Sequence, residues 1–134
     1  MNTVAMVCAS RGWQDAQPIE ARLADLYRDA GGRNHLFIIH GDFGGGARIT
    51  SEWCDRWRVG HKRFVTKWNM HGRTAVQRRD NEMLDFLAEQ RDDMGATVEL
   101  IAFRTPDDRA SEELDRVVRL AHGQRLTEHI VRAA

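Results

Sequence analysis

The chain has 134 residues, with 20 basic and 20 acidic side chains and a formal net charge of zero. That length suits one domain able to bury roughly two-thirds of the surface its unfolded chain exposes, so neither metal nor disulfide staples are needed. The neutral balance argues against a long polyanion such as DNA or RNA as the main partner.

In chain order, a first strand is expected at Val4 to Cys8, apolar throughout and therefore central and buried on both faces. It runs into the loop Cys8-Ala9-Ser10-Arg11-Gly12-Trp13. A first helix follows, with Pro18 near its start, Ile19, Leu23, Leu26, Tyr27 and Ala30 along one face, and Gly31-Gly32 as its stop. The second strand, His35 to Ile39, leads into a second glycine-bearing loop, His40-Gly41-Asp42-Phe43-Gly44-Gly45-Gly46-Ala47. A second helix is expected from Ala47 or Arg48, turning Ile49, Trp53, Cys54 and Trp57 toward the sheet and ending before Gly60.

Lys62 to Lys67 reads as a short strand near an edge. Thr74-Ala75-Val76-Gln77 has capping-box spacing and predicts a helix through Arg91, with Val76, Met83, Leu84, Leu87 and Ala88 buried. Val98 to Phe103 is the fourth strand. Thr105-Pro106-Asp107-Asp108 then reads as a helix start, with Ala110, Leu114, Val117, Val118 and Ala121 on the apolar face. Arg125 to Val131 favours a short edge strand over a frayed helix. The alternation predicts a single α/β domain, a three-layer sandwich with a mainly parallel sheet of four to five strands.

Loops that follow parallel strands lie side by side at their carboxyl ends, where free amides and helix N-termini hold anionic groups. Ser10 and Arg11 offer a hydroxyl and a fixed cation there, and Gly44, Gly45 and Gly46 offer a backbone nest or a turn of positive φ. Trp13 and Trp68 could stack on a nucleobase or pack over the sheet's end, whereas Trp53 and Trp57 have the spacing of core or interface residues. Arg78 and Arg79 stand in the first turns of a helix, where a cation opposes the dipole unless an anion or carboxylate is near.

Lys62 and Lys67 are the only lysines, so eighteen of the twenty basic residues are Arg. The bias offers planar forks for phosphate, but a G+C-rich coding sequence accounts for it more simply. Six histidines, His40 and His71 among them, show no metal-ligand spacing, and no metal or cofactor is expected. Cys8 and Cys54 read as small buried hydrophobes rather than a disulfide framework. With no basic leader pattern and no apolar stretch near the roughly eighteen residues of a membrane span, the expected setting is the cytoplasm.

Taken in order, Ser10-Arg11-Gly12-Trp13-Gln14-Asp15, His40-Gly41 with Gly45-Gly46-Ala47, Trp53, Trp68 with His71-Gly72-Arg73-Thr74-Ala75, Arg79-Asp80-Asn81-Glu82-Met83, and Ala102-Phe103 form a set. That set resembles the YspA, cpYpsA-related branch of the SLOG superfamily, which also includes the lonely-guy phosphoribohydrolases and the DprA DNA-processing proteins. The resemblance implies a Rossmann-like fold and binding of a nucleotide or nucleotide-derived molecule above the sheet, with links to nucleotide signalling and phage conflict. It implies ligand contacts from Ser10, Arg11, Trp13, Gly41, Gly44 to Ala47, Trp68 and Arg79, and homo-oligomers such as dimers.

Two departures bear on activity. Arg48 stands where the family commonly has an acidic residue. Arg104 to Glu113 lacks the glycine loop of the lonely-guy enzymes, and Asp107 with Asp108 would repel a phosphate. The expectation is therefore a sensor or sequestering protein for a nucleotide derivative. A nucleotide hydrolase using Glu112 or Glu113 as base is the alternative, and single-stranded DNA binding the third.

Overall fold

The computed structural model describes residues 2–133. Its strands are β1 (Thr3–Ala9), β2 (Leu36–His40), β3 (Gly60–Arg63), β4 (Thr97–Arg104) and β5 (Thr127–Arg132), and its helices α1 (Ala16–Ala30), α2 (Gly45–Trp57), α3 (Trp68–His71), α4 (Ala75–Asp92) and α5 (Glu112–Gly123). The strands make one all-parallel sheet in the order β3-β2-β1-β4-β5. β1 lies at its centre, where Met6 pairs with Ile39 of β2 and Leu100 of β4.

Successive side chains of a strand point to opposite faces, and the core divides accordingly. Ala5 and Val7 meet Ile19, Leu23 and Trp53 of α1 and α2 on one face. Val4 and Met6 meet Met83, Leu87 and Val117 of α4 and α5 on the other. The result is an α/β Rossmann-like three-layer sandwich, as the alternation of apolar runs and helical periods predicts. β2 and β3 extend to one side of β1, β4 and β5 to the other. The winding thus reverses beside the end of β1, and such reversals open a crevice outside the strand ends.

Local chemistry sets most element ends. The Asp15 carboxylate accepts the Gln17 amide at 3.2 Å and caps α1, and Gly31 at φ 93° stops it. α2 begins at Gly45, two residues before the earliest start expected, because Gly44 at φ 94° turns the chain directly into the helix. Trp53 packs in the core, but Trp57 is half-exposed against Tyr27 at a ring distance of 5.7 Å instead of facing the sheet.

Three other expectations are corrected. β3 covers Gly60–Arg63 rather than 62–67. Its pairing ends when the Phe64 amide donates to the His40 carbonyl at 2.9 Å, after which Thr66 is drawn away to the Asp42 carboxylate. Thr74 does not cap α4: it sits at φ −95°, ψ 2°, outside the extended region a capping residue needs, and its hydroxyl donates to the His71 carbonyl. α5 starts at Glu112, six residues after Pro106. The Asp107 carboxylate instead accepts the amides of Arg109 and Ala110 in a turn of its own. The terminal segment is β5, parallel to β4 at the sheet edge, as favoured from the sequence.

Candidate functional site

A crevice of about 310 Å³ opens above the end of β1, between the β1–α1 and β2–α2 loops and the N-terminal halves of α4 and α5. Ser10, Arg11, Gly41 and the loop from Gly44 to Ala47 line it, as do Trp68, Arg79 and Glu113. The topology therefore brings together residues as far apart in sequence as Ser10 and Glu113. Glu112, the other candidate base, points to a separate groove with Asp108, Arg109 and Arg119.

The glycine loop has a steric basis. A Cβ on Gly45 would lie 1.9 Å from the Trp13 carbonyl oxygen, and one on Gly46 would lie 2.6 Å from the Ala9 Cβ. These contacts press the first turn of α2 against the end of β1. No side chain caps α2, so its first amides, which have no partner within the helix, face the crevice with the positive end of the helix dipole.

The side chains divide by whether they are free. Arg11 is exposed; its backbone is pinned by the Ala110 carbonyl at 2.8 Å, and among the described residues its guanidinium makes only a long bond, 3.4 Å, to the Arg109 carbonyl. Arg79 is spoken for: Nη1 donates to Asp42 at 3.2 Å and to the Thr66 hydroxyl at 3.0 Å, and Nη2 donates to Asp80 at 3.0 Å. Arg79 lines the crevice as expected of a ligand-binding residue, with its guanidinium held as a strut by the nearby carboxylates. Gly41 leaves the room for it, since a Cβ there would be 2.8 Å from Nη1.

Ser10 is likewise internal. Its Oγ accepts the Thr105 amide at 3.0 Å and lies 2.6 Å from the Ser111 Oγ, which in turn donates to the Thr105 carbonyl. Trp13 is only 3% exposed, edge-on to Phe103, with Nε1 donating to the Asp15 carbonyl at 2.7 Å. Its indole is packed over the end of the sheet, the second of the two readings the sequence offered. Trp68 is 53% exposed at the crevice mouth, 6.1 Å from the ring of the half-exposed Phe43.

Sequence reading missed Asp42, Phe43 and Asp80 as site residues. Burial pushes the Asp42 carboxyl up, but the Thr66 amide and hydroxyl and Arg79 outweigh it and hold the group below its ordinary value. Asp80 goes the other way: burial raises it and Glu113 adds a smaller push upward, against the pull of Arg79 and, more weakly, of Arg116. The signal available was a carboxylate beside an arginine early in a helix, too common a pattern to single out. Cys8 also lines the crevice, but burial holds its thiol protonated, so it offers no nucleophile.

Behind the β2–α2 loop lies a second feature. His40 is fully buried, with Nδ1 2.7 Å from the Gly41 carbonyl and Nε2 2.8 Å from His61 Nδ1, and His61 Nε2 is 2.9 Å from Asp55. The carbonyl and the carboxylate only accept, so three bonds require three N–H groups on two rings. Two neutral imidazoles supply only two, and burial disfavours an added proton on His40, so one of the three contacts is left without its hydrogen. Among the described residues, no three His, Cys, Asp or Glu side chains cluster so as to hold a metal ion. No helix there is long and apolar enough to cross a membrane.

No family model matches the chain, and no curated protein matches it. Among solved structures, a ferredoxin-NADP+ reductase from Plasmodium falciparum with 2'P-AMP is similar over 96% of this chain and 52% of that one, at 6% identity and a TM-score of 0.43. A predicted subunit of tRNA methyltransferase from Methanocaldococcus jannaschii is similar over 97% of this chain and 67% of that one, at 15% identity and a TM-score of 0.40. The chain spans about half the length of the reductase chain it matches, and these likenesses assign it no function.

Proposed function

We propose that this chain binds a nucleotide or nucleotide-derived small molecule in the crevice, as a sensor or sequestering protein, and belongs with the SLOG superfamily's YspA-related branch. The observation that carries the reading is the uncapped start of α2 facing the exposed Arg11 across the crevice at the winding reversal. An anionic group there meets free amides and a cation that has no ion-pair partner among the described residues. Phe43 and Trp68 at the mouth offer ring faces for a base. A cytoplasmic setting and a homo-oligomeric state belong to the same proposal.

Hydrolysis is the second reading, favoured by one observation: Asp80 and Glu113 both line the crevice. Single-stranded DNA binding is third, because the net charge is zero and Arg79, the half-buried cation of the crevice, is already paired. The test is mass spectrometry of small molecules that co-purify with the native protein, followed by turnover assays. Retention of an unchanged nucleotide derivative supports the sensor. Release of free base, lost in Glu113→Gln, would replace it with the hydrolase. Steeply salt-dependent binding of single-stranded DNA would revive the third reading.

A further inference from the structure

The crevice is bipolar, and its negative side has an open acceptor. Asp80 is 5% exposed and sits on α4 among the crevice-lining residues. Its Oδ1 takes Arg79 Nε at 3.3 Å and Nη2 at 3.0 Å. Among the described residues no donor reaches Oδ2. The Arg79 charge is shared with Asp42 behind the crevice wall, and the two acids that line the crevice, Asp80 and Glu113, face only that shared guanidinium and the more distant Arg116. The positive side has Arg11 and the α2 amides. A ligand anionic throughout would meet attraction at one end and repulsion at the other.

In dinucleotide-binding sandwiches an acidic residue after the second strand accepts the ribose hydroxyls. Here Asp42 follows β2, but both of its oxygens are spent, on the Thr66 amide at 2.8 Å, the Thr66 hydroxyl at 2.7 Å and Arg79. The volume of about 310 Å³ is near the lower end of small-molecule sites, enough for one nucleoside unit.

We propose that Asp80 of α4 reads the sugar of the ligand, its free carboxylate oxygen accepting the hydroxyls of a ribose cis-diol while Arg11 and the α2 amides hold the ligand's anionic end. The inference rests on nucleotide binding in this crevice. It makes Asp80 a specificity residue: a site built to bond a hydroxyl rejects the analogue that lacks it, because the buried acceptor is then left unpaired.

The experiment is calorimetric titration of the native protein with adenosine, guanosine, cytidine and uridine 5'-monophosphates, with the matching 2',3'-dideoxy 5'-monophosphates, and with the 5'-triphosphates. A ribose form should bind roughly 10- to 100-fold more tightly than its dideoxy counterpart, and the triphosphate should bind no better than the monophosphate. In Asp80→Asn, shown to be folded by circular dichroism, the preference for the diol should fall at least several-fold. Equal affinity for ribose and dideoxy forms in the native protein overturns the proposal without recourse to any variant, as does a preference that survives intact in Asp80→Asn. Absence of binding by every nucleotide overturns it together with the reading on which it rests, and that outcome is distinct from binding that ignores the sugar.

Discussion

Ser10 and Ser111, 101 positions apart, join their hydroxyls at 2.6 Å in the buried seam between the β1–α1 loop and the start of α5. With the Thr105 amide donating to Ser10 and Ser111 donating to the Thr105 carbonyl, every hydrogen in this ring has an acceptor. The seam ties together the strand ends on either side of the winding reversal, so it fixes the width of the crevice.

Removing either hydroxyl should therefore cost stability. Ser10→Ala and Ser111→Ala are each expected to lower unfolding free energy by about 1–3 kcal/mol, because each strands buried partners. Urea denaturation of the single and double variants checks this. The double variant should lose less than the sum of the singles; strict additivity would mean that the two hydroxyls do not act as one network.

The two arginines of the crevice should separate cleanly. Arg79→Ala leaves the half-buried Asp42 and the buried Asp80 without their shared cation, and stranding such charged acceptors costs about 1–3 kcal/mol. Arg11→Ala should stay within about 0.5 kcal/mol of the native protein while weakening the binding of anionic ligands. If Arg11→Ala unfolds the protein, or Arg79→Ala leaves its urea midpoint unmoved, the assignment of strut and free cation is reversed.

Glycine positions should rank by steric environment. Gly45→Ala drives a methyl into the Trp13 carbonyl and is expected to cost about 3 kcal/mol or more. At Gly44 a Cβ meets nothing within 4 Å, so Gly44→Ala pays only for its backbone conformation, φ 94° and ψ 163°, about 1–3 kcal/mol. Thermal melts of both variants test the order, and a larger loss at Gly44 contradicts the close approach of α2 to the β1–α1 loop.

Stability should also fall with acid through His40. Burial, with smaller downward pushes from His61 and Arg63, lowers this imidazole below its ordinary 6.5, against upward pulls from the Gly41 carbonyl and Asp55. The unfolded chain then binds a proton that the folded chain refuses. Stability is thus present above pH 6.5 and is lost as pH falls from there through the lower folded value. Urea midpoints between pH 8 and pH 5 should drop more for the native protein than for His40→Gln, which cannot titrate. Parallel curves would show that His40 is not the responsible group.

What was legible beforehand follows from where each signal resides. β1, β2 and β4 are apolar runs and α1 has an inward stripe closed by Gly31, so burial and local capping announced them. The edge strand β3, Gly-His-Lys-Arg, has no apolar signature, because an edge need not bury its side chains; its register is set by pairing with β2. The start of α5 was misplaced because Pro106 and Asp107 favour a helix locally, whereas the Ser10–Ser111 ring holds that segment as a loop.

By itself, then, the order of apolar runs, periods and glycines determined the parallel sandwich and the end of the sheet where a crevice would lie, since these depend on burial and on backbone freedom near in sequence. Which polar groups are free there was decided only by tertiary structure. Arg79 is neutralised by Asp42, 37 positions away, Ser10 is consumed by Ser111, and Trp13 is closed off by Phe103. A side chain's chemistry is written in its residue type, but its availability depends on what the fold places within about 3 Å of it.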